Sequence, residues 1–325
     1  MGPAPEVPAA LREPLRFDVV DPPRGDETDA AVRRAWPFFA ALDPDPIRLR
    51  DQLKMKGHKH FTEYLGAMRL LAAWQRTPEV STAAQARGRE VLDRYARGEA
   101  FHDLGQADEA RLIEDSMSYL RGCLYAEQLG WDTKAWRAEI ARILPRLQGH
   151  IRTRGTDQRM AFAFLFEALG LPGGESLAEL QPLGAIATQR SLESLVARPE
   201  NAYDFTHEVF ALTWRGRRPL VARSDLERTY ARKMAYTLLH VHATEKLHDS
   251  AAELLLNRVW LGDPPDPQMA FARRVLLDGQ RDDGSIGFHT ESLIREKTGN
   301  PVYEVRYGGY LHTTMVALWA LMASS

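Results

Sequence analysis

The feature that most constrains the fold of this chain is a regular alternation of helices that repeats every roughly fifty residues. From Asp29 onward, apolar residues recur at three- and four-residue steps, as Phe61, Leu65 and Met68 do, which is the spacing of a buried helix face. Every second helix is predicted to begin near residue 57, 108, 157, 204, 249 or 309. Two helices per repeat, six times over, predict six αα-hairpins.

Six such hairpins can stack into an open solenoid or close into a ring of six inner and six outer helices. Solenoids repeat a sequence signature, and this chain shows none. We therefore predict an all-α fold, a single (α/α)6 toroid over residues 29–325 that follows an irregular, proline-rich arm over 1–28. One of the predicted outer helices covers 186–197. Closure would place the starts of the inner helices around the mouth of one cavity.

Composition excludes several classes of protein. The chain has 44% hydrophobic and 26% charged residues, which argues against disorder. Its net charge of −2 disfavours nucleic-acid binding through bulk charge, and its one cysteine excludes a disulfide scaffold. We expect no membrane helix and no signal peptide, and hence a cytoplasmic protein. Cys123, which lies in a helical pattern, is expected to be a core residue rather than a nucleophile.

Histidines recur at the last three predicted inner-helix starts. They are His207, His248 and His312, and Asp249 adjoins the second of them. Histidine is not a favoured helix N-cap, whereas a convergent set of histidines and carboxylates binds cations such as Zn²⁺, Fe²⁺ or Mn²⁺. We predict these four residues as metal ligands. The alternative is a polar rim in which hydrogen bonds satisfy each histidine.

Two further carboxylates lie beside these candidate ligands. Asp204 and Glu208 flank His207, and we predict that they orient a histidine or act as a general base. An insertion over 281–308 contains aromatic residues and arginines, including Phe288, His289, Glu291, Arg295 and Tyr303. A loop of this length is typical of a lid or of a solvated segment. Within and just after it we predict Arg306, Tyr307 and Tyr310 as substrate-binding residues, with Arg306 gripping a carboxylate.

Gln280 is followed by Asp283-Gly284-Ser285, an apolar residue and Gly287. This string resembles the QW motif of terpene cyclases and the related turns of protein prenyltransferase β-subunits. The resemblance implies that the Gln280 side chain ties a helix end to the next turn. Ile286 stands in place of the tryptophan, so the aromatic stacking of that motif is absent.

The segment Tyr310-Leu-His-Thr-Thr resembles a helix start of the same prenyltransferase β-subunits, whose histidine binds zinc. On this resemblance His312 and Asp249 are zinc ligands. The third ligand of that family is a cysteine, and Ala251 stands in its place. A histidine, His248 or His207, would have to replace it, which favours water, oxygen or a small chelating substrate over a thiol. The resemblance covers the C-terminal third of the chain and implies the fold more than an activity.

These observations predict a metal-dependent enzyme that acts on a small-molecule substrate in the cavity. The reaction stays open between hydrolysis or elimination through a metal-bound water and oxidation. Two alternatives remain: a metal-free cyclase or lyase, and a non-catalytic toroid that binds a peptide or a partner protein.

Overall fold

The computed structural model describes residues 25–196, 199–287 and 305–325, and in these residues the regular elements are helices. The predicted all-α class is confirmed. The helices are α1 (Gly25–Ala40), α2 (Pro46–Asp51), α3 (Gly57–Ala73), α4 (Pro78–Tyr95), α5 (Glu109–Gln128), α6 (Lys134–Ile151), α7 (Thr156–Leu169), α8 (Leu177–Leu180), α9 (Leu192–Val196), α10 (Pro199–Leu212), α11 (Asp225–Thr244), α12 (His248–Trp260), α13 (Pro267–Asp278) and α14 (His312–Ala323). A turn of π-helix over Arg306–Leu311 leads into α14.

Side-chain caps explain where several of these helices begin. The carboxylate of Asp108 accepts a hydrogen bond from the backbone amide of Arg111 at 2.8 Å, at the start of α5. Asp266 caps α13 in the same way through the amide of Met269 at 2.9 Å. Such caps satisfy backbone donors that have no partner inside the helix. Gly170 ends α7 in the left-handed conformation that glycine adopts without strain.

Alternate helices form a circuit of contacts. Helix α3 packs against α5, α5 against α7, α7 against α10, α10 against α12, and α12 against α14, which returns to α3. Helices α4, α6, α11 and α13 each pack against members of this circuit, and α1 contacts α3, α4, α13 and α14. A closed ring predicts this order of contacts, and the toroid itself stays a prediction.

The region around residues 177–212 differs from the sequence prediction. A continuous helix over 186–197 is wrong, because among the described residues of that range only α9 is helical, and α10 begins at Pro199 rather than near 204. The buried carboxylate of Glu208 accepts hydrogen bonds from the backbone amides of Ala185 at 2.6 Å and Ile186 at 3.3 Å. The segment therefore wraps around a side chain of α10, which periodicity along the sequence does not reveal.

The Gln280 turn forms as expected. Its side-chain amide donates to the carbonyl oxygens of Gly284 at 3.0 Å and Ala31 at 2.9 Å, so it ties the end of α13 to the next turn and to α1. Ile286 is fully buried, and its amide donates to Thr314 Oγ1 at 2.9 Å. The turn therefore holds the start of α14 in place.

Several other expectations concern segments that lie partly or wholly outside the described residues. Helix α1 begins at Gly25, inside the predicted arm, and residues 1–24 lie outside the described part. The same is true of 288–304, with Phe288, His289, Glu291, Arg295 and Tyr303, and so of most of the predicted lid. Cys123 is buried, as expected of a core residue, and burial raises the pKa of its thiol to about 12. In the described ranges no helix is both long and apolar enough to span a membrane.

Candidate functional site

The six helices of the circuit surround a cavity of about 870 Å³. Each of them contributes lining residues, and these include most of the polar side chains considered below. A volume in this range is typical of small-molecule sites. The cavity is lined by Glu63 from α3, Arg121 from α5, Asp157 from α7, His207 from α10, Asp249 and Glu253 from α12, and His312 from α14, among others.

Two carboxylates and an imidazole converge on one point of the cavity wall. Asp249, Glu253 and His312 each offer a ligand atom, and these atoms lie within 4.8 Å of one another. His312 Nε2 is 3.6 Å from Asp249 Oδ1 and 3.8 Å from Glu253 Oε1. The three residues form a possible metal-binding triad because their donor atoms face one another without intervening side chains.

Hydroxyl groups fix the two carboxylates of the triad. Thr313 Oγ1 donates to Asp249 Oδ1 at 2.9 Å, and the Tyr203 hydroxyl donates to Asp249 Oδ2 at 2.8 Å. Thr206 Oγ1 donates to Glu253 Oε2 at 2.5 Å, which leaves Oε1 facing the histidines. Partners of this kind orient the ligands of metal sites and limit their rotation.

Glu63 lies behind His312, on the side away from the triad carboxylates. Its Oε1 is 3.1 Å from His312 Nδ1, and its Oε2 is 3.2 Å from His60 Nδ1. A carboxylate beside one ring nitrogen orients the ring of a ligand histidine, so that the other ring nitrogen faces the opposite side. His312 therefore presents Nε2 toward Asp249 and Glu253.

The electrostatics of this group are dominated by buried negative charge. Burial opposes a charged imidazole, but Asp249, Glu253 and Glu63 outweigh it and raise the pKa of His312 well above its ordinary value. Burial likewise opposes ionisation of Glu253, yet His207 and His312 hold the pKa of this carboxyl below its usual range. The negative charge of Glu253 and the positive charge of His312 thus stabilise each other.

The four predicted ligands do not all lie at the triad. Asp249 and His312 belong to the triad, and His207 lies at its edge, with Nε2 at 3.7 Å from Glu253 Oε1. His248 faces away from the cavity: its Nδ1 lies 3.0 Å from the carbonyl oxygen of Gly287. Neighbouring residues on a helix point in different directions, so His248 and Asp249 cannot both face the cavity.

The two predicted catalytic carboxylates also lie in different places relative to the cavity. Asp204 lines the cavity and forms an ion pair with Arg190 at 2.6 Å. Glu208 is not among the lining residues and instead binds the 185–186 backbone amides described above. Burial raises the pKa of Glu208 to about 7, against the effect of those amides. In the described residues, the carboxylate that orients a histidine of the triad is Glu63, not Asp204 or Glu208.

None of the three predicted substrate-binding residues is among those that line the cavity. The Tyr307 ring is fully buried, and its hydroxyl donates to the carbonyl oxygen of Asp43 at 2.7 Å. Tyr310 is also buried, with the Arg281 guanidinium 5.1 Å from its ring centroid. Arg306 begins the π-helical turn that precedes α14. The positions of these three residues in the sequence do not show that they lie outside the cavity lining.

Sequence reasoning missed two residues of the site, Glu253 and Glu63. Glu253 follows Asp249 by four residues, so the two share one face of α12. Glu63 follows His60 by three residues on α3 and shares its face in the same way. This helical spacing was the available signal, but it does not tell which face of α12 or α3 meets the cavity.

Residues 29–322 match a family described as a domain of unknown function, DUF6895. The match covers most of the chain. The chain belongs to the DUF6895 family. It matches no curated protein and no solved structure. The resemblance to terpene cyclases and prenyltransferase β-subunits therefore stays a prediction, carried by the two short motifs.

Proposed function

We propose that this chain is a metal-dependent enzyme that acts on a small molecule in the cavity. The observation that carries the proposal is the convergence of Asp249, Glu253 and His312 donor atoms within 4.8 Å of one another at the cavity wall. Because the site opens on a cavity of about 870 Å³, a bound cation would have positions free for water or substrate.

The donor set favours a borderline divalent cation. Two carboxylates and an imidazole with open positions suit Fe²⁺, Mn²⁺ or Zn²⁺ better than a soft cation such as Cu⁺. His207, which lies 3.7 Å from Glu253, is available as a further ligand or proton acceptor. When bound, such an ion would polarise a substrate oxygen or lower the pKa of a water molecule.

Buried charge supports the same conclusion. The side chains of Glu63, Asp249 and Glu253 are 8%, 5% and 2% exposed, and all three surround His312. Burying several carboxylates is costly unless cations compensate them. The raised pKa of His312 supplies part of that compensation as a proton. A divalent ion beside His312 Nε2 would take the place of this proton, while Glu63 would continue to lie beside Nδ1.

Metal content tests the proposal directly. Full-length protein purified without chelator should contain about one equivalent of divalent metal by elemental analysis. Glu253→Gln and His312→Gln should lose it, because each removes a donor. His248→Gln is the matched control: it lies on the first turn of α12 but outside the cavity, so it should retain the metal.

The opposite result has a clear meaning. If chelator-treated wild-type protein binds neither Zn²⁺, Mn²⁺ nor Fe²⁺ in a calorimetric titration, the metal-dependent reaction is excluded. The metal-free cyclase or lyase and the protein-binding alternatives would then be the remaining hypotheses. A cytoplasmic location stays a prediction beside them.

A further inference from the structure

The cavity also contains arginines that form no ion pair with a carboxylate of the described residues. Arg121, Arg154 and Arg215 all line it, and in the described ranges none of them has a carboxylate within ion-pair distance. The two lysines of the lining differ, since Lys56 lies 3.1 Å from Glu114 and Lys59 lies 3.7 Å from Glu63. The lining therefore holds three guanidiniums without an ion-pair partner among the described residues, in the same cavity as the carboxylates of the triad.

Arg121 is the least satisfied of these residues. It lies on α5, and its Nε is buried without a hydrogen-bond partner among the described residues. A buried polar group left unpaired destabilises the fold, and more so when it is charged. Burial and the neighbouring Arg215 lower the pKa of Arg121 to about 10. Glu63 and Glu253 offset this effect only in part, and the guanidinium keeps an Nε donor without a partner among the described residues.

Arg215 is held beside it by aromatic rings. Its guanidinium lies 5.7 Å from the Phe164 ring centroid and 5.9 Å from the centroids of both Tyr125 and Trp319. It also donates to the Tyr125 hydroxyl. Stacking on rings positions a guanidinium while leaving its edge free to donate to an oxyanion.

The backbone at Arg215 is strained. Trp214, Arg215 and Gly216 have φ values of 50°, 55° and 79°, so three successive residues are in the left-handed region. The two non-glycine residues are unfavourable there, because Cβ lies too close to the following carbonyl oxygen. Strain of this kind persists where the surrounding structure requires a particular position, and it is frequent at ligand sites. Here it turns the chain so that Arg215 reaches the cavity.

We propose that Arg121 and Arg215 bind an oxyanion group, a carboxylate or a phosphate, of the small molecule that occupies the cavity. As a statement about the substrate, this inference rests on the proposed function. The oxyanion site itself does not require the metal. Arginine suits this role because its donors match the oxygens of such a group in pairs. The anionic end would be held by arginine, and another part of the molecule would face Asp249, Glu253 and His312.

Binding of simple anions tests the inference. Chelator-treated full-length protein is titrated calorimetrically at low ionic strength with inorganic phosphate and, separately, with malonate. We expect saturable binding of at least one anion, which salt weakens. Arg121→Gln should weaken it at least tenfold, and Arg121→Lys should fall between, because lysine keeps the charge but not the paired donors. Arg228→Gln, an exposed residue of α11, is the control and should bind like wild type.

Each outcome decides the question. If phosphate alone binds, the oxyanion is a phosphate; if malonate alone binds, it is a carboxylate. If neither anion binds, or if folded Arg121→Gln binds like wild type, the inference is wrong. Circular dichroism of each variant shows whether it is folded, and Arg215→Gln repeats the test at the second arginine.

Failure of this inference can be told from failure of the proposed function. Metal content is measured on each protein as purified, before the chelator treatment. Arg121→Gln should retain metal while losing the anion, and Glu253→Gln should show the reverse. Metal without anion binding would overturn only the oxyanion site. Anion binding without metal would overturn only the metal-dependent reaction.

Discussion

Tyr125 is expected to ionise at a lower pH than a free tyrosine, because three guanidiniums surround it. Arg69 lies 4.9 Å from its ring centroid and Arg215 lies 5.9 Å from it, and Arg215 donates to its hydroxyl. Arg121 adds to the positive potential. The perturbation that tests this arrangement is Arg215→Gln, which removes one charge and leaves a hydrogen-bond donor of shorter reach.

The size of the effect follows from these distances. Burial by itself raises the pKa of Tyr125, but Arg215, Arg69 and Arg121 outweigh it and lower the pKa to about 8. The ordinary value is about 10, so the net stabilisation of the phenolate is about 2.7 kcal/mol. One positive charge at about 5 Å contributes roughly 3 kcal/mol at an effective dielectric constant of about 20. Loss of one guanidinium should therefore return the pKa of Tyr125 to about 10 or higher.

Ultraviolet titration of phenolate absorbance measures this directly. The chain has 10 tyrosines, so wild-type protein should show about one tenth of the total change near pH 8. Four other tyrosines should not ionise near pH 8, because burial raises the pKa of each: Tyr64, Tyr95, Tyr230 and Tyr236. Tyr125→Phe should abolish the early step, Arg215→Gln should move it to higher pH, and Arg228→Gln should leave it unchanged.

Two results would refute the reasoning. Either no tyrosine ionises before the ordinary range in folded wild-type protein, or the early step survives in Tyr125→Phe. Phosphate offers an additional comparison. An oxyanion bound by Arg121 and Arg215 would offset part of their charge, so saturating phosphate should raise the pKa of Tyr125.

Three further predictions concern stability, measured by urea or thermal unfolding. Gly284→Ala should lower the free energy of unfolding by more than about 2 kcal/mol, because its φ is +85° and an added Cβ would lie 1.9 Å from the Arg34 carbonyl oxygen. The control is Gly98→Ala, whose added Cβ would have no atom within 4 Å. His58 is neutral when folded because burial lowers its pKa to about 3. His58 takes up a proton below about pH 6.5 only in the unfolded chain. This difference should lower the free energy of unfolding by about 2 kcal/mol between pH 7 and pH 5. His58→Phe should lose correspondingly less stability on acidification, and an equal loss would contradict this. Asn257 is fully buried, and neither amide atom has a partner among the described residues. Asn257→Leu should therefore unfold at the same or a higher temperature; a lower one would indicate a partner within the fold.

The sequence alone determined the class of the fold and the positions of most helices. Helical periodicity is a local property, because it reflects which residues along one helix are apolar. Gly and Pro punctuation is local in the same sense, and the predicted inner-helix starts at 57, 108 and 157 lie within one residue of α3, α5 and α7. The Gln280 tie could also be expected, since the turn that it closes spans only a few residues.

Only the tertiary structure decided which polar side chains share the cavity. Asp249 and His248 are adjacent in sequence, yet one joins the triad and the other bonds to Gly287. Glu253 belongs to the site because the face of α12 that carries Asp249 lines the cavity. Glu63 entered it because α3 packs against α14 and meets His312 at 3.1 Å. A sequence states which residues lie on one face of a helix. Which face is turned inward depends on the packing of all the neighbouring helices, and this is a property of the whole fold.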